Sequence, residues 1–453
     1  MKDKKQNKRI NGGHRLLFFC ILCLFGLYVA VSYAEEQPQR EQSKTKVILL
    51  HTDNLTYDQY RHPGAQILTG NVQFQHDGVL MYCDSACFYE ATNSFDAFGH
   101  VKMVQGDTLD LVGDMLLYNG LDQLARVRHN VVLTHRESKL YTDSLDYDRL
   151  YELGYFFEGG KLVDKDNVLT SDWGQYSPPT RQAVFNYNVK LENPKFTLIS
   201  DTLNYNTLTS MAEIVGPSNI DSGDNHIYSE SGFYNTQTEE AILLDRSIVT
   251  NKGRKMVGDS LYYDSKSGVG EGFRNVVYTD EVNKNMLTGN YCYYNDSTGY
   301  SMATDSAVAI DYSQRDTMYM HADTFKVYTF YMDTDSMYRE VRGYHKVRSY
   351  RMDVQSVCDS LVFDSRDTCI TMYRDPIVWN GGQQVLGEVI KVYLNDSTID
   401  RIHVIDQTLS VERIDSVHYN QVAGKEMTSY FRDGEMYLSL IHISEPTRRT
   451  PIS

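Results

Sequence analysis

Apolar and polar residues alternate with a period of two in short runs along most of the chain, and the runs are bounded by Asn, Asp, Gly and Ser. The clearest is DSLDYD from Asp143, in which Leu145 and Tyr147 fall on one side of an extended backbone and Ser144, Asp146 and Asp148 on the other. Successive side chains of a strand point to opposite faces, so this is the pattern of a strand with one face inward. The same phrase (an acid or amide, usually Ser or Thr, an apolar residue, a variable one, an aromatic, then Asp or Asn) recurs at Asp53, Asp84, Asp114, Asp201, Glu230, Asp259, Asn290 and Asp359. Weaker copies start at Asp172, Asp323 and Glu388. From Asp114 to Asp259 the phrase returns every 29 residues five times in succession.

A second phrase sits about midway between copies of the first. It reads ILTGNVQF at 67–74, AFGHVKMV at 97–104, VRHNVVL at 127–133, VFNYNVKL at 184–191 and GFRNVVY at 272–278. Each unit of about 29 residues therefore predicts two strands, and about twelve units predict roughly two dozen. The 35 tyrosines, with Val and Thr, favour strands over long helices. The constant offsets place Leu55, Tyr57, Leu116, Tyr118, Leu145, Tyr147, Leu203, Tyr205, Leu261 and Tyr263 on one continuous inward face. Spacing alone allows an antiparallel sandwich or jelly roll and also a parallel solenoid; short Asn- and Asp-containing turns favour the antiparallel arrangement.

The 60 acidic residues outnumber the 44 basic ones, for a net charge of -16 over 453 residues, which argues against a nucleic-acid partner. The first 34 residues run against that balance, with six cations (Lys2, Lys4, Lys5, Lys8, Arg9, Arg15) and one acid; the remainder carries about -21. An apolar stretch from Leu16 to Val31 follows, then Ser32-Tyr33-Ala34 with small residues at the first and third places, the form of a secretory signal. The alternative is an uncleaved anchor through residues 16–34, which just reach spanning length. The expected order is a signal peptide at 1–34, a linker at 35–46, a regular repeat region at 47–310 and a more irregular one at 311–437. Residues 438–453, LSLIHISEPTRRTPIS, break the preceding composition, and read back into codons LSLIHISEPTR resembles the translation of a DNA-library adapter. No ordered role is expected of them.

Five cysteines lie beyond the signal: Cys83, Cys87, Cys292, Cys358 and Cys369, an odd number without CxxC spacing, so no zinc site or redox motif is implied. A hairpin turning near 364–367 would let Cys358 and Cys369 face each other; two buried thiols are the alternative. No HExxH, GxSxG, P-loop or dinucleotide fingerprint is present, and nothing asks for a cofactor. His51, His62, His76, His100 and His129 are expected at strand ends, in surface or turn roles. The repeated acids, such as Asp143, Asp146 and Asp148 or Asp259 and Asp264, could bind Ca²⁺ in ladders, but the glycine-rich signature of such sites is missing; turn and strand-flank roles fit them better.

The GNV-type phrase (Gly70-Asn71-Val72; His129-Asn130-Val131; Arg274-Asn275-Val276), interleaved with D-S-L-x-Y-D, resembles the OstA-like family. The family includes the periplasmic lipopolysaccharide-transport protein LptA and the soluble part of the outer-membrane assembly protein LptD. The stretch from His51 to Asn119 is similar to long OstA-like proteins of the Bacteroides group, and the resemblance extends over about 47–310 and more loosely to 437. It implies an elongated antiparallel jelly roll, open at both ends, without enzymatic activity. Its interior would shield the acyl chains of lipopolysaccharide, and the ten inward residues above would line that groove. It also implies a periplasmic location, with other transport proteins joined by edge-strand addition and head-to-tail self-association as a further possibility. The alternatives are a structural or adhesive envelope protein without lipid cargo, and the soluble part of an LptD-type outer-membrane assembly protein. A dry, continuous groove would favour transport, and an interior filled by tyrosines would favour a scaffold.

Overall fold

A computed structural model describes residues 45–443, apart from 59, 61, 283, 314–315, 333, 353, 396–397 and 433–434. The expected signal, with residues 16–34, and the stretch 444–453 lie outside the described residues. Among the described residues the only helical element is one short turn, Glu90–Thr92, and no helix is long and apolar enough to cross a membrane. The rest is a single antiparallel meander of 33 strands, which rules out the parallel solenoid. At seven places two short collinear strands replace one long strand; Leu153–Phe156 and Gly160–Asp164, for example, both pair with Ser138–Asp148. With each such pair counted once, the meander has 26 successive strands, close to the two dozen that the repeat predicts.

The strands are twice as long as a single phrase, typically 11 or 12 residues. Each is bent at its middle. In Gln66–His76 the register with Val79–Tyr89 slips between Thr69 and Val72, and the intervening Gly70 and Asn71 have φ of +84° and +47°. Two consecutive residues in the left-handed region turn the strand sharply while leaving its two halves extended. Paired positive φ values recur at Gly99 and His100, His129 and Asn130, Tyr187 and Asn188, and Arg274 and Asn275. The second phrase thus marks a corner inside a strand. The first phrase is the half-strand that leaves the corner of its neighbour.

Bending every strand at the same level folds the sheet into two facing leaves. Residues 72–76, 79–83, 101–105 and 109–113 belong to leaf A; residues 66–69, 85–88, 94–98 and 115–119 belong to leaf B. Across the gap Phe74 of leaf A stacks on Phe95 of leaf B with ring centroids 4.1 Å apart, and further along Phe196 meets Tyr234 at 4.7 Å. Within leaf B large and small residues alternate across strands. Tyr147 lies opposite Ala125 on one side and Gly154 on the other, Tyr205 between Ala183 and Ala212, and Tyr263 between Ala241 and Gly270. A ring can lie flat over its neighbours only because they are small.

Two core clusters follow one another along the sheet, one from Val47 to Leu261 and one from Val276 to Met427, and Met256 touches both. The sheet itself is continuous through residue 310, which lies in the strand Tyr300–Asp311. Contrary to expectation, the first residues of the tail are ordered: Glu435–His442 pairs with Tyr419–Arg432, Leu438 opposite Tyr430 and Leu440 opposite Thr428. Alternating Leu-Ser-Leu satisfies an open sheet edge whatever its origin.

Candidate lipid groove

In most repeats the leading acid is a corner residue. It lies where the strand bends, and its carboxylate accepts a hydrogen bond from the amide or imidazole at the corner of a neighbouring strand. Asn71 donates to Asp53 (3.0 Å), Asn130 to Asp114 (2.6 Å), Asn188 to Asp172 (2.6 Å) and Asn275 to Asp259 (2.8 Å). His100 Nδ1 is 2.7 Å from Asp84 Oδ2, and that carboxylate raises the imidazole above its ordinary pKa. Asp148 and Asp264 hold the expected turn role, each accepting from two backbone amides of the turn that follows it, whereas leading acids such as Asp143 and Asp259 are corner residues: a bent strand leaves corner groups without ladder partners, and these side chains supply them. Among the described residues no three metal-ligating side chains cluster. A corner glycine is required where the acid folds over it, since a Cβ on Gly99 (φ +75°) would lie 2.4 Å from Asp84 Oδ2.

The inner face is apolar on both leaves. Leu116, Tyr118, Leu145, Tyr147, Leu203, Tyr205 and Leu261 face inward and are sealed from solvent, while Tyr263 is half-buried against the same core. Leu55 and Tyr57 differ: their strand, Asn54–Tyr57, is the first of the array, and they are 54% and 58% exposed. Leu55 lies opposite the fully buried Leu68, so it has the inward side but no preceding strand to cover it.

Opposite the corners, the hairpin turns of the two leaves form a long margin. In the first half of the array polar side chains close it. The Tyr118 hydroxyl, on leaf B, lies 2.6 Å from Nδ1 of His76 on leaf A, and Arg149 donates to both. With donors converging on Nδ1, Nε2 carries the ring proton and points at Thr45. His135 meets the Tyr176 hydroxyl at 2.8 Å, and Tyr205 donates to the buried Asp164 at 2.8 Å, which Ser138 also reaches. Asn167 ties Tyr205 to Thr236. Burial, reinforced by Arg149, lowers the His76 pKa, although Asp77 and the Thr45 carbonyl oppose it. Burial likewise lowers that of His135, with Arg136 and Arg181 acting in the same sense. His76 is thus no surface residue; its position as the last inward residue of leaf A makes it a latch, whereas His100 and His129 stand at corners. The sequence signal that could have shown it is the parity of the strand, which sets His76 on the same side as Val72 and Phe74.

From Tyr263 onward the inner face is less sealed. Tyr278, Leu287, Met320, Val341, Phe363 and Ile370 are each partly exposed although inward, and Tyr294 is 36% exposed. Small inward residues, Gly270, Gly272, Gly289, Ala303, Ala307 and Ala322, lie between them beside the buried Phe325. Near the end of the array Val378, Val385, Ile402, Met427 and Phe431 line a cavity of about 10 Å³, room for a single water. The inner face therefore combines a latched, filled half with a half whose leaves close over small residues.

The five cysteines are free. The hairpin expected at 364–367 forms, but Cys369 lies opposite Asp364 and Cys358 opposite Val347, on different leaves, so the two thiols do not face each other. Burial pushes Cys83 and Cys358 up to about 12 and Cys292 to about 11, which suits inert core thiols.

A family model described as OstA-like protein matches residues 44–201 and 195–259, the half in which the corner, the inward phrase and the latches are most regular. No curated protein matches the sequence.

Proposed function

Given that the chain belongs to the OstA-like family, through residues 44–259, we propose that it is a non-enzymatic protein of the periplasm that shields the acyl chains of lipopolysaccharide between its two leaves and bridges inner- and outer-membrane components. One observation carries the reading: an inner apolar face runs the length of the array and becomes partly open from Tyr263 to Ile370. Cargo would enter there, where parting the leaves uncovers small residues and breaks no latch. Each buried CH₂ of an acyl chain would contribute about 0.8 kcal/mol. The exposed first strands, with Ile48, Leu50, Leu55 and Tyr57, offer an edge for strand addition by another transport protein or by a second copy. The filled half favours a second reading for residues 65–261, that of a rigid spacer whose tyrosines occupy the space a lipid would need.

Photocrosslinking amino acids at Tyr294, Val341 and Phe363 should capture lipopolysaccharide in cells that make it, at Tyr147 and Tyr205 more weakly, and at the outward Ile199 not at all. Capture at Ile199 equal to that at the inner sites, or none inside, would leave only the scaffold.

A further inference from the structure

We propose that the outer lip of leaf B, across the strands from Asn285 to Asp364, holds the anionic saccharide head of the glycolipid whose acyl chains enter the groove behind it; this rests on the transport reading above. Tyr293, Tyr300, Tyr328, Phe330 and Tyr338 alternate with the inward Cys292, Ala303, Phe325 and Gly343 and so face away from the core. They form a ladder from strand to strand, with ring centroids 5.9 Å apart for Tyr293 and Tyr300, 5.2 Å for Tyr300 and Tyr328, and 4.7 Å for the nearly parallel Phe330 and Tyr338. Rungs set by the strand spacing of about 4.8 Å are comparable to the rise of one pyranose along an extended saccharide. The C–H face of a sugar packs on such rings while its hydroxyls reach the phenols.

The outer face of this lip carries cations beside the rings. On that face Arg342 of strand Tyr338–Tyr350, Lys326 of the strand beside it and Arg366 of the next hairpin turn stand with Glu340 and Asp364, in a protein of net charge -16. Arg342 lies 5.1 Å over the Tyr328 ring and Arg366 4.3 Å over Tyr338, held by Glu340 and Asp364 respectively. Lys326 stands directly across the strand pair from Arg342, on the same outer face. Like charges placed opposite each other destabilise a sheet; Glu340 offsets part of that cost, and an anionic group between the two cations, a sugar phosphate or carboxylate, offsets the rest. The rings run as a ladder from strand to strand and do not converge on one centre, unlike the anchors of a protein interface. Tyr300, Phe330 and Tyr338 stand at hairpin ends of the margin, where the inner Tyr294 is exposed, so acyl chains inside and a head on the lip belong to one molecule.

The test uses the purified protein and the delipidated, phosphorylated saccharide of lipopolysaccharide, with the same saccharide dephosphorylated and a neutral glucan as comparisons. Calorimetric titration should find binding of the phosphorylated form that salt weakens. Combined Tyr328→Ala, Phe330→Ala and Tyr338→Ala should weaken it at least tenfold. Combined Lys326→Gln and Arg342→Gln should abolish the preference for phosphate while leaving the melting temperature unchanged or raised. No binding of the saccharide, or binding indifferent to both sets of changes, overturns the proposal. If Phe363 still captures intact glycolipid in that case, the groove reading survives alone. Saccharide binding without any inner capture overturns both the groove and the glycolipid as source. A concentration-dependent dimer in sedimentation that the ring variants abolish would make the lip a self-contact and overturn the saccharide assignment.

Discussion

Two tyrosines at the same position of neighbouring repeats differ in what their hydroxyls meet. The Tyr118 hydroxyl joins His76 and Arg149, whereas that of Tyr147 is buried with no hydrogen-bond partner among the described residues. Removing one member of a satisfied buried group strands the others, while removing an unpaired hydroxyl relieves a cost. Tyr118→Phe is therefore expected to destabilise the protein by about 1–3 kcal/mol, and Tyr147→Phe to be neutral or to stabilise it by about 1 kcal/mol. Denaturant unfolding of the two variants checks the difference, and equal losses would contradict it. The latch histidines also set a pH dependence. Burial lowers both His76 and His135 from 6.5, so below about that pH the unfolded chain takes up protons that the folded one refuses. Stability then falls as pH decreases from about 6.5 toward the folded values and is insensitive to these groups above it. Thermal melts should be flat from about pH 8 to about pH 7 and decline below; in a His76→Gln, His135→Gln double variant the decline should begin lower, where the carboxylates titrate.

At the level of the strand, the alternation of ring and small residue fixes how closely the leaves approach. Ala125 lies between Tyr118 and Tyr147 on the two adjacent strands. Ala125→Leu places a branched side chain where two rings already pack and should cost about 1–3 kcal/mol through overpacking. The melting temperature should drop, and a change confined to the noise would mean the leaves are loosely packed there. The alternation of Leu and Tyr with polar residues is visible in the sequence because it repeats locally. The corner is not legible in the same way, because Gly-Asn and His-Asn also make tight turns, and only pairing on both sides of the bend distinguishes a corner from a hairpin.

Across the described residues, nearly every strand contributes to both leaves, so 26 strands at about 4.8 Å give an array of about 120 Å. Almost all pairings join strands adjacent in sequence, and stability in such an array is built from each strand and its neighbours. The latched half seals its core; the half beyond Tyr263 does not. Hydrogen exchange should therefore be slower in peptides from 65–261 than in those from 263–430, by at least tenfold at inner-strand amides. Uniform protection along the array would contradict two halves of different tightness.

The strands, their approximate number and the face on which Leu116, Tyr118, Leu145 and Tyr147 point are legible in the chain, because each follows from a local period of two and a repeat of about 29 residues, and the short Asn- and Asp-containing turns favour the antiparallel order. The same period places Leu55 and Tyr57 on the same side as the rest. Only the tertiary structure decided that these two are exposed, that His76 is a latch, that Cys358 and Cys369 lie on different leaves, and that the groove is filled before Leu261 and partly open after Tyr263. The physical reason is that alternation sets only the direction of a side chain. Burial depends on the strand beside it and the leaf opposite, which a terminal strand lacks and a distant residue supplies.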